Sequence, residues 1–193
     1  MNKTVLAVLG GFVGLVLLMG LWFVSVGNTM VELDEGVNKA KAQVENVYQR
    51  RMDLIPNLVA TVKGYAKHEA SVLEEVTKAR ASASQVNLSG EGAVKRFEQA
   101  QGQLGSALSR LMVTVEKYPD LKANQNFRDL QSQLEGTENR ITIERQRFND
   151  SCNLFNTYTR KFPQSFVAAF RGFKEKEYFQ AQAGAATAPK VEF

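Results

Sequence analysis

The stretch RRMDLIPNLVATVKGYAKHEA, residues 50–70, decides how the long apolar pattern of this chain is interpreted. Its apolar residues recur at helical spacing, although Pro56 stands in the middle and Gly64 follows. A helix that restarts here, with Asp53 as N-cap and Pro56 in its first turn, would lose no hydrogen bond. The apolar phase continues across Pro56, however. We therefore favour a single helix kinked at the proline, whose ring removes the bond to the Met52 carbonyl.

The same spacing of three and four extends in both directions from this stretch and predicts further helices. The expected bounds are about 29–83 for the first helix, 94–118 for the second, 122–162 for the third and 165–172 for a short fourth. No segment has the period-two alternation of a strand. The predicted fold class is therefore all-α: an antiparallel bundle of three long helices and one short helix behind an N-terminal transmembrane helix.

The N-terminal run VLAVLGGFVGLVLLMGLWFV, residues 5–24, contains no polar side chain. As a helix it is long enough to cross the hydrocarbon core of a bilayer. We expect an uncleaved anchor over residues 1–27. A cleaved signal peptide is the alternative, for which Ser25 and Gly27 supply small residues. The predicted span includes Val5, Phe12, Trp22 and Val24.

The charges that flank the span predict its orientation. Lys3 precedes the span, whereas Glu32, Asp34 and Glu35 follow it. Because basic residues stay on the cytoplasmic side, the rest of the chain is expected to face outward. Gly27 is expected to end the anchor helix, so that a helical domain occupies residues 28–180.

Composition excludes several classes of function. The chain has 193 residues and a net charge of +4, with both signs scattered and no basic block, so we expect no nucleic-acid partner. His68 is the only histidine, which excludes histidine dyads, triads and two-histidine metal sites within one chain. Cys152 is the only cysteine and falls on an apolar helix face, as a small core residue does. We predict no catalytic residue, metal or cofactor.

Five polar residues occupy core-facing positions by spacing, and a charged one needs a partner on a neighbouring helix. They are Arg51, Glu69, Gln101, Thr137 and Glu144. The segment EGTENR, residues 135–140, offers Glu138 and Asn139 on the third helix. A buried polar layer that fixes helix register is the simplest interpretation. A carboxylate active site and an interface contact are the alternatives.

Three features point to self-association. Gly10 and Gly14 form a small-xxx-small pair within the span. The first helix is longer than the second, so its membrane-near valines need cover from the third helix or another protomer. These valines are Val37, Val44 and Val47. The flexible tail, residues 181–193, ends in Val191 and Phe193, whose alternation suits docking on a neighbouring protomer.

Several blocks of the sequence resemble the bacterial LemA family: QVENVYQRRMDLIPNLVATVKGYAKHE, KYPDLKANQNFRDLQSQLEGTENRI, GFKEKEYFQA and the closing KVEF. The resemblance covers most of residues 37–193. It implies a single-pass helical bundle anchored in the bacterial inner membrane, with no assigned enzymatic activity. It also implies that the residues of RRMDLIPNLV and EGTENR are structural hallmarks. These are Arg51, Asp53, Pro56, Asn57, Glu138 and Asn139.

Two functions follow from these observations. The first is a homo-oligomeric scaffold whose partners are the lipid bilayer and further copies of the chain, with its soluble domain on the periplasmic or extracytoplasmic side. The second is an adaptor or sensor that passes a signal or client to another membrane protein. A membrane protease is one such partner, because some family members are encoded beside one.

Overall fold

Six helices make up the part of the chain described by the structure, a computed structural model that covers residues 3–66 and 68–180. They are α1 (Lys3–Tyr65), α2 (Ala70–Ser84), α3 (Ala93–Val115), α4 (Pro119–Ala123), α5 (Gln125–Arg160) and α6 (Gln164–Arg171). These residues include no strand, which confirms the all-α class. The expected third helix is divided into α4 and α5, because Asn124 between them is extended. The antiparallel order of the bundle stays a prediction.

The chain forms two compact units. Unit 1 comprises the residues up to Ala40 together with Asp150–Lys176. Its small core contains Val26, Met30, Val167 and Ala168. Unit 2 comprises Lys41–Asn149 and the residues from Glu177 onward. Its larger core runs from Met52 of α1 to Leu134 of α5. Both α1 and α5 therefore contribute residues to each unit.

Pro56 lies inside α1, so the alternative of a helix restarting at this proline is wrong. Asp53 is correspondingly no N-cap, and its carboxylate accepts a hydrogen bond from Gln49 at 2.8 Å. Proline has no N–H and leaves the Met52 carbonyl without its helical donor. Nε of Arg80, on α2, donates to that carbonyl at 2.8 Å. A side chain of the next helix thus replaces the missing backbone bond.

The first break in the helix comes ten residues after Pro56, and the expectation of one helix as far as Ala83 is wrong. The chain leaves α1 after Tyr65 and begins α2 at Ala70. Val62 at the end of α1 and Val76 of α2 are fully buried in the same core. The apolar phase survives the turn because both helices bury one face in that core, not because the helix continues.

Gly27 does not end the anchor helix, contrary to expectation, because α1 continues through it. The Thr29 hydroxyl donates to the Ser25 carbonyl at 3.2 Å, one turn back in the same helix. A Cβ at position 27 would overlap with the guanidinium of Arg171. The glycine therefore makes room for a side chain that packs on α1.

The membrane-near valines of α1 are covered within the chain. Val37 and Val44 are buried, and Val47 is half-buried. Of the two covers expected from the sequence, the third helix or another protomer, Val37 and Val44 do not require the second. Both α5 and the segment after α6 contribute residues to each unit.

Candidate functional site

The two hallmark segments meet at one ion pair in unit 2. Nη1 of Arg51 lies 2.9 Å from Oε2 of Glu138, which joins α1 to α5. The Arg51 side chain is 11% exposed, whereas that of Glu138 is 50% exposed. The guanidinium is thus largely buried, and its partner carboxylate opens to solvent. The side chains of the other hallmark residues, Asp53, Pro56, Asn57 and Asn139, are exposed and are not brought to this pair.

A groove of about 1060 Å³ lies beside the Arg51–Glu138 pair in unit 2. Its walls come from α1, α3 and α5. Its lining includes Tyr48, Arg51, Glu98, Gln101, Gly102, Gly105, Ser106, Ser109, Met112, Leu134, Glu138, Arg145 and Gln180. On the α3 side, the stretch Gly102, Gly105, Ser106 and Ser109 has small side chains, so a bound chain can approach the helix backbone closely there.

Gln101 is the most unusual residue of this groove. It is 4% exposed, and neither Oε1 nor Nε2 has a hydrogen-bond partner within the described residues. A buried amide that makes no hydrogen bond costs free energy, so native proteins rarely leave one unsatisfied. The remaining polar residues at core-facing positions all have partners. Glu69 accepts from Tyr118, Thr137 donates to the Gln133 carbonyl, and Glu144 pairs with Arg147.

One end of the groove is closed by a cluster around Arg145. Its Nη2 lies 2.6 Å from Oε1 of Glu98 and also donates to the Gln180 carbonyl at 2.8 Å. The Gln180 amide in turn donates to Glu98 at 3.1 Å. Burial raises the pKa of Tyr48, on the neighbouring wall, above its ordinary value; the positive charge of Arg145 opposes this shift. The cluster thus holds the chain at Gln180 by both of its backbone groups.

Asparagines of α5 hold the chain that follows α6. In unit 2, Asn149 accepts from the Phe179 amide and donates to its carbonyl, both at 2.9 Å. In unit 1, Asn156 does the same for Lys176, at 2.8 and 2.9 Å. Each asparagine amide therefore bonds both the N–H and the C=O of one residue, as the backbone of a neighbouring strand does in a β-sheet. Sequence reasoning missed both residues, although the dipeptide Phe-Asn recurs seven residues apart at 148–149 and 155–156.

The described residues contain no cluster of three or more histidine, cysteine or acidic side chains suited to a metal ion. Cys152 is buried, and burial raises the pKa of its thiol to about 11. A thiol that stays protonated near neutral pH is a poor nucleophile. His68, the only histidine, is exposed.

The N-terminal part of α1 is, by length and composition, a helix able to cross a membrane. The predicted span residues Val5, Phe12, Trp22 and Val24 are all exposed, as a lipid-facing surface requires. Gly10 and Gly14 also face open space, and no atom lies within 4 Å of a Cβ added at either position. Val191 and Phe193 lie outside the described residues.

Comparison with known proteins gives a consistent result. The model of the LemA family matches residues 40–193. The chain is 28% identical over 174 residues to magnetosome protein MamQ 2 of Paramagnetospirillum magneticum, covering 79% of this chain and 64% of that protein. Magnetosome protein MamQ of Magnetospirillum gryphiswaldense gives 28% over 173 residues with the same coverage. Protein LemA of Metamycoplasma hominis is 23% identical over 162 residues, covering 83% of this chain and 72% of that protein. The chain thus spans just under two thirds of the length of the MamQ relatives.

Proposed function

This chain belongs to the LemA family, and on that basis we propose that it is a membrane-anchored, non-enzymatic protein that self-assembles into a homo-oligomeric scaffold at the bacterial inner membrane. The observation that supports contact between copies is the open face of the apolar run at Gly10 and Gly14, where a Cβ would meet no neighbouring side chain. A second observation, the unpartnered amide of Gln101, points to a binding groove on the helical domain. Native proteins rarely leave a buried amide without any partner, so this amide favours a site that a further group completes. We propose that this group is polypeptide.

The charges of the groove favour binding over catalysis. Arg51 and Arg145 are each paired with a glutamate. General acid–base catalysis needs a group that exchanges its proton near the working pH. The raised pKa of Tyr48 moves that residue further from this range. Paired charges of this kind instead orient a polar ligand and limit what can enter.

The backbone direction at Phe179 and Gln180 suggests an occupant for the groove. Phe179 is held by Asn149 and Gln180 by Arg145, so the chain advances toward lower-numbered residues of α5. The next section of α5, residues 134–145, is the groove wall and is roughly 16 Å long. About five extended residues cover this distance. We propose that AQAGAA, residues 181–186, binds the groove of its own chain, because its side chains are mostly small and the groove lining includes two glycines and two serines of α3.

In this proposal the last seven residues are left for a contact outside the groove. In extended form residues 187–193 reach roughly 23 Å further. Val191 and Phe193 alternate with polar neighbours, a pattern that docks beside an extended backbone. Burying both side chains on a neighbouring copy contributes about 3–5 kcal/mol. The tail thus supplies the contact between soluble parts, while close approach at Gly10 and Gly14 supplies the contact between spans.

Measuring the mass of the oligomer in mild detergent tests self-assembly. We expect deletion of residues 187–193 to reduce the number of protomers per particle, with helicity unchanged by circular dichroism. Glu192→Gln is the matched control, because it removes a charge but keeps Val191 and Phe193, and it should preserve the mass. A full-length particle with the mass of a single protomer would reject the scaffold. Unchanged mass after the deletion would reject the tail contact alone.

A second measurement tests the occupant of the groove. If residues 181–186 satisfy Gln101, Gln101→Leu should stabilise a chain that lacks residues 181–193 by roughly 1–3 kcal/mol. The same substitution in the full-length chain should be neutral or destabilising. Equal stabilisation in both backgrounds would show that the tail leaves the amide unpartnered. The groove would then serve another polypeptide, as the adaptor function requires.

A further inference from the structure

Helix α6 presents an unusually apolar face to the outside of unit 1. Phe162, just before the helix, is 78% exposed, Phe166 is 69% exposed and Phe170 is 81% exposed. Phe166 and Phe170 are four residues apart in the helix and share a face, and the Phe162 ring packs edge-on against Phe166 with centroids 5.8 Å apart. The opposite face is buried, with Val167 and Ala168 in the core of unit 1 beside Val26 and Met30 of α1. A row of three exposed phenylalanines marks an interaction surface.

This face is continuous with the end of the apolar run of α1. The Phe170 ring packs edge-on against Phe23, with ring centroids 5.5 Å apart. Phe23 is the second-last residue of the apolar run 5–24. The Arg171 guanidinium lies over the same ring at 5.9 Å and packs against Gly27. Because Phe23 belongs to the predicted span, its contacts place α6 at the level where the span leaves the hydrocarbon.

Basic side chains border the exposed phenylalanines. Lys161, Arg171 and Lys174 are exposed, and no ion pair to any of them is found among residues 3–66 and 68–180. Other cations of the same region are paired within unit 1. Arg160 lies 3.3 Å from Glu175, and Lys176 pairs with Asp34. An apolar face bordered by unpaired lysine and arginine is the pattern of a helix that lies in a membrane interface.

We propose that α6 is a second membrane contact, which lies in the bilayer interface with Phe162, Phe166 and Phe170 among the acyl chains. Lys161, Arg171 and Lys174 then meet the headgroup phosphates. The continuity of this face with the span selects lipid as its occupant. A second copy docked there would have to displace lipid from around Phe23 as well. The chain thus holds the membrane both by a crossing helix and by a helix parallel to the surface.

Tryptophan fluorescence of the full-length protein in vesicles tests this contact. Trp22→Phe removes the only tryptophan, and Phe166→Trp then reports from the exposed face of α6. Glu35→Trp in the same background is the control, since Glu35 is exposed and lies about 18 Å along α1 from Phe23. The vesicles contain phosphatidylglycerol and phosphatidylcholine, and the phosphatidylcholine is brominated in its acyl chains in the test sample.

Brominated lipid should reduce the emission of the Phe166→Trp reporter about two-fold or more, while the control reporter at position 35 keeps most of its emission. Quenching of the position 166 reporter no greater than that of the control would overturn the proposal. Unquenched emission at short wavelength would then identify another copy of the chain as the cover. Unquenched emission at long wavelength would show that the exposed face of α6 is in contact with water. Circular dichroism of each variant confirms that the helices are intact.

Discussion

Pro56 interrupts the hydrogen bonds of α1 at one carbonyl, that of Met52, and Arg80 supplies the missing donor at 2.8 Å. Met52 itself is buried in the core of unit 2, so water is a poor substitute for this donor. Arg80 is half-buried and thereby joins α2 to α1. The proline is tolerated within the helix because a side chain from outside that helix completes its bonding.

The hydrogen bond from Arg80 is therefore expected to contribute to the free energy of unfolding mainly when Pro56 is present. Arg80→Met keeps most of the apolar stem and removes the donor, and it should lower the free energy of unfolding by roughly 1–3 kcal/mol. Pro56→Ala restores the helical N–H, so the same arginine substitution should cost clearly less in that background. Denaturant unfolding of the four proteins as a double-mutant cycle measures the coupling. Equal losses in both backgrounds would contradict the replacement of one donor by the other.

At the scale of elements, the sequence predicts where helices lie better than where they are joined. Periodicity located α3 and α6 to within three residues at each end. It missed the break between α1 and α2, because Val62 and Val76 bury into one core on either side of a four-residue turn. It also placed a false break at Gly27, where the glycine accommodates Arg171. The spacing of apolar residues indicates which side of a helix is buried. It does not indicate where the helix ends, because two helices that bury the same side in one core give the same spacing as one continuous helix.

The chain after α6 owes its path to asparagines rather than to periodicity. Asn149→Ala removes both hydrogen bonds to Phe179, and amide exchange at Phe179 should accelerate roughly ten-fold or more. Asn149→Asp keeps the acceptor and loses the donor, so an intermediate effect is expected. Asn153→Ala is the matched control, because Asn153 is exposed on the same helix. Hydrogen exchange followed by mass spectrometry provides the measurement.

An unchanged exchange rate in Asn149→Ala would mean that ring packing and the hydrogen bonds of Gln180 to Glu98 and Arg145 suffice to hold this segment. Phe179 packs edge-on against Phe97 and Phe148, and Arg145 lies 4.8 Å above its ring. These contacts survive the substitution, so they set the residual protection that the asparagine variant retains.

For the whole molecule, the candidate site was predictable only in part. Spacing identified Arg51 and Gln101 as polar residues at core-facing positions, and the structure pairs the first with Glu138. It could not identify the groove, because the cavity depends on how three helices from distant parts of the chain approach one another. Nor does a single sequence distinguish a satisfied buried amide from an unsatisfied one. The unsatisfied amide of Gln101 is a property of its surroundings and not of its place in the sequence.

The outward orientation of the soluble part remains a prediction from Lys3 and the acidic residues after the span. Gln85→Cys places a thiol at the exposed end of α2. In intact spheroplasts at pH 7, a membrane-impermeant maleimide should label it. Labelling only after lysis would reverse the orientation.

The native cysteine can stay in place for this measurement. Because the pKa of Cys152 is about 11, its thiolate is populated only as the pH approaches that value, and at pH 7 the fraction is roughly 100-fold below that of an ordinary exposed thiol. The unsubstituted protein is the control and should remain unlabelled.

The unbroken passage of α1 from its apolar run into the rest of unit 1 has a mechanical consequence. A span joined to its domain by a flexible linker can tilt without moving that domain. In a bilayer thinner than its apolar length, a stiff helix accommodates the mismatch by tilting as a rod. Residues 25–40 belong to the same helix, and α6 is packed on it through Phe23 and Gly27. A tilt of the apolar run therefore cannot occur without moving residues 25–40 and α6, so the seat of α6 in the interface and the tilt of the run are set together.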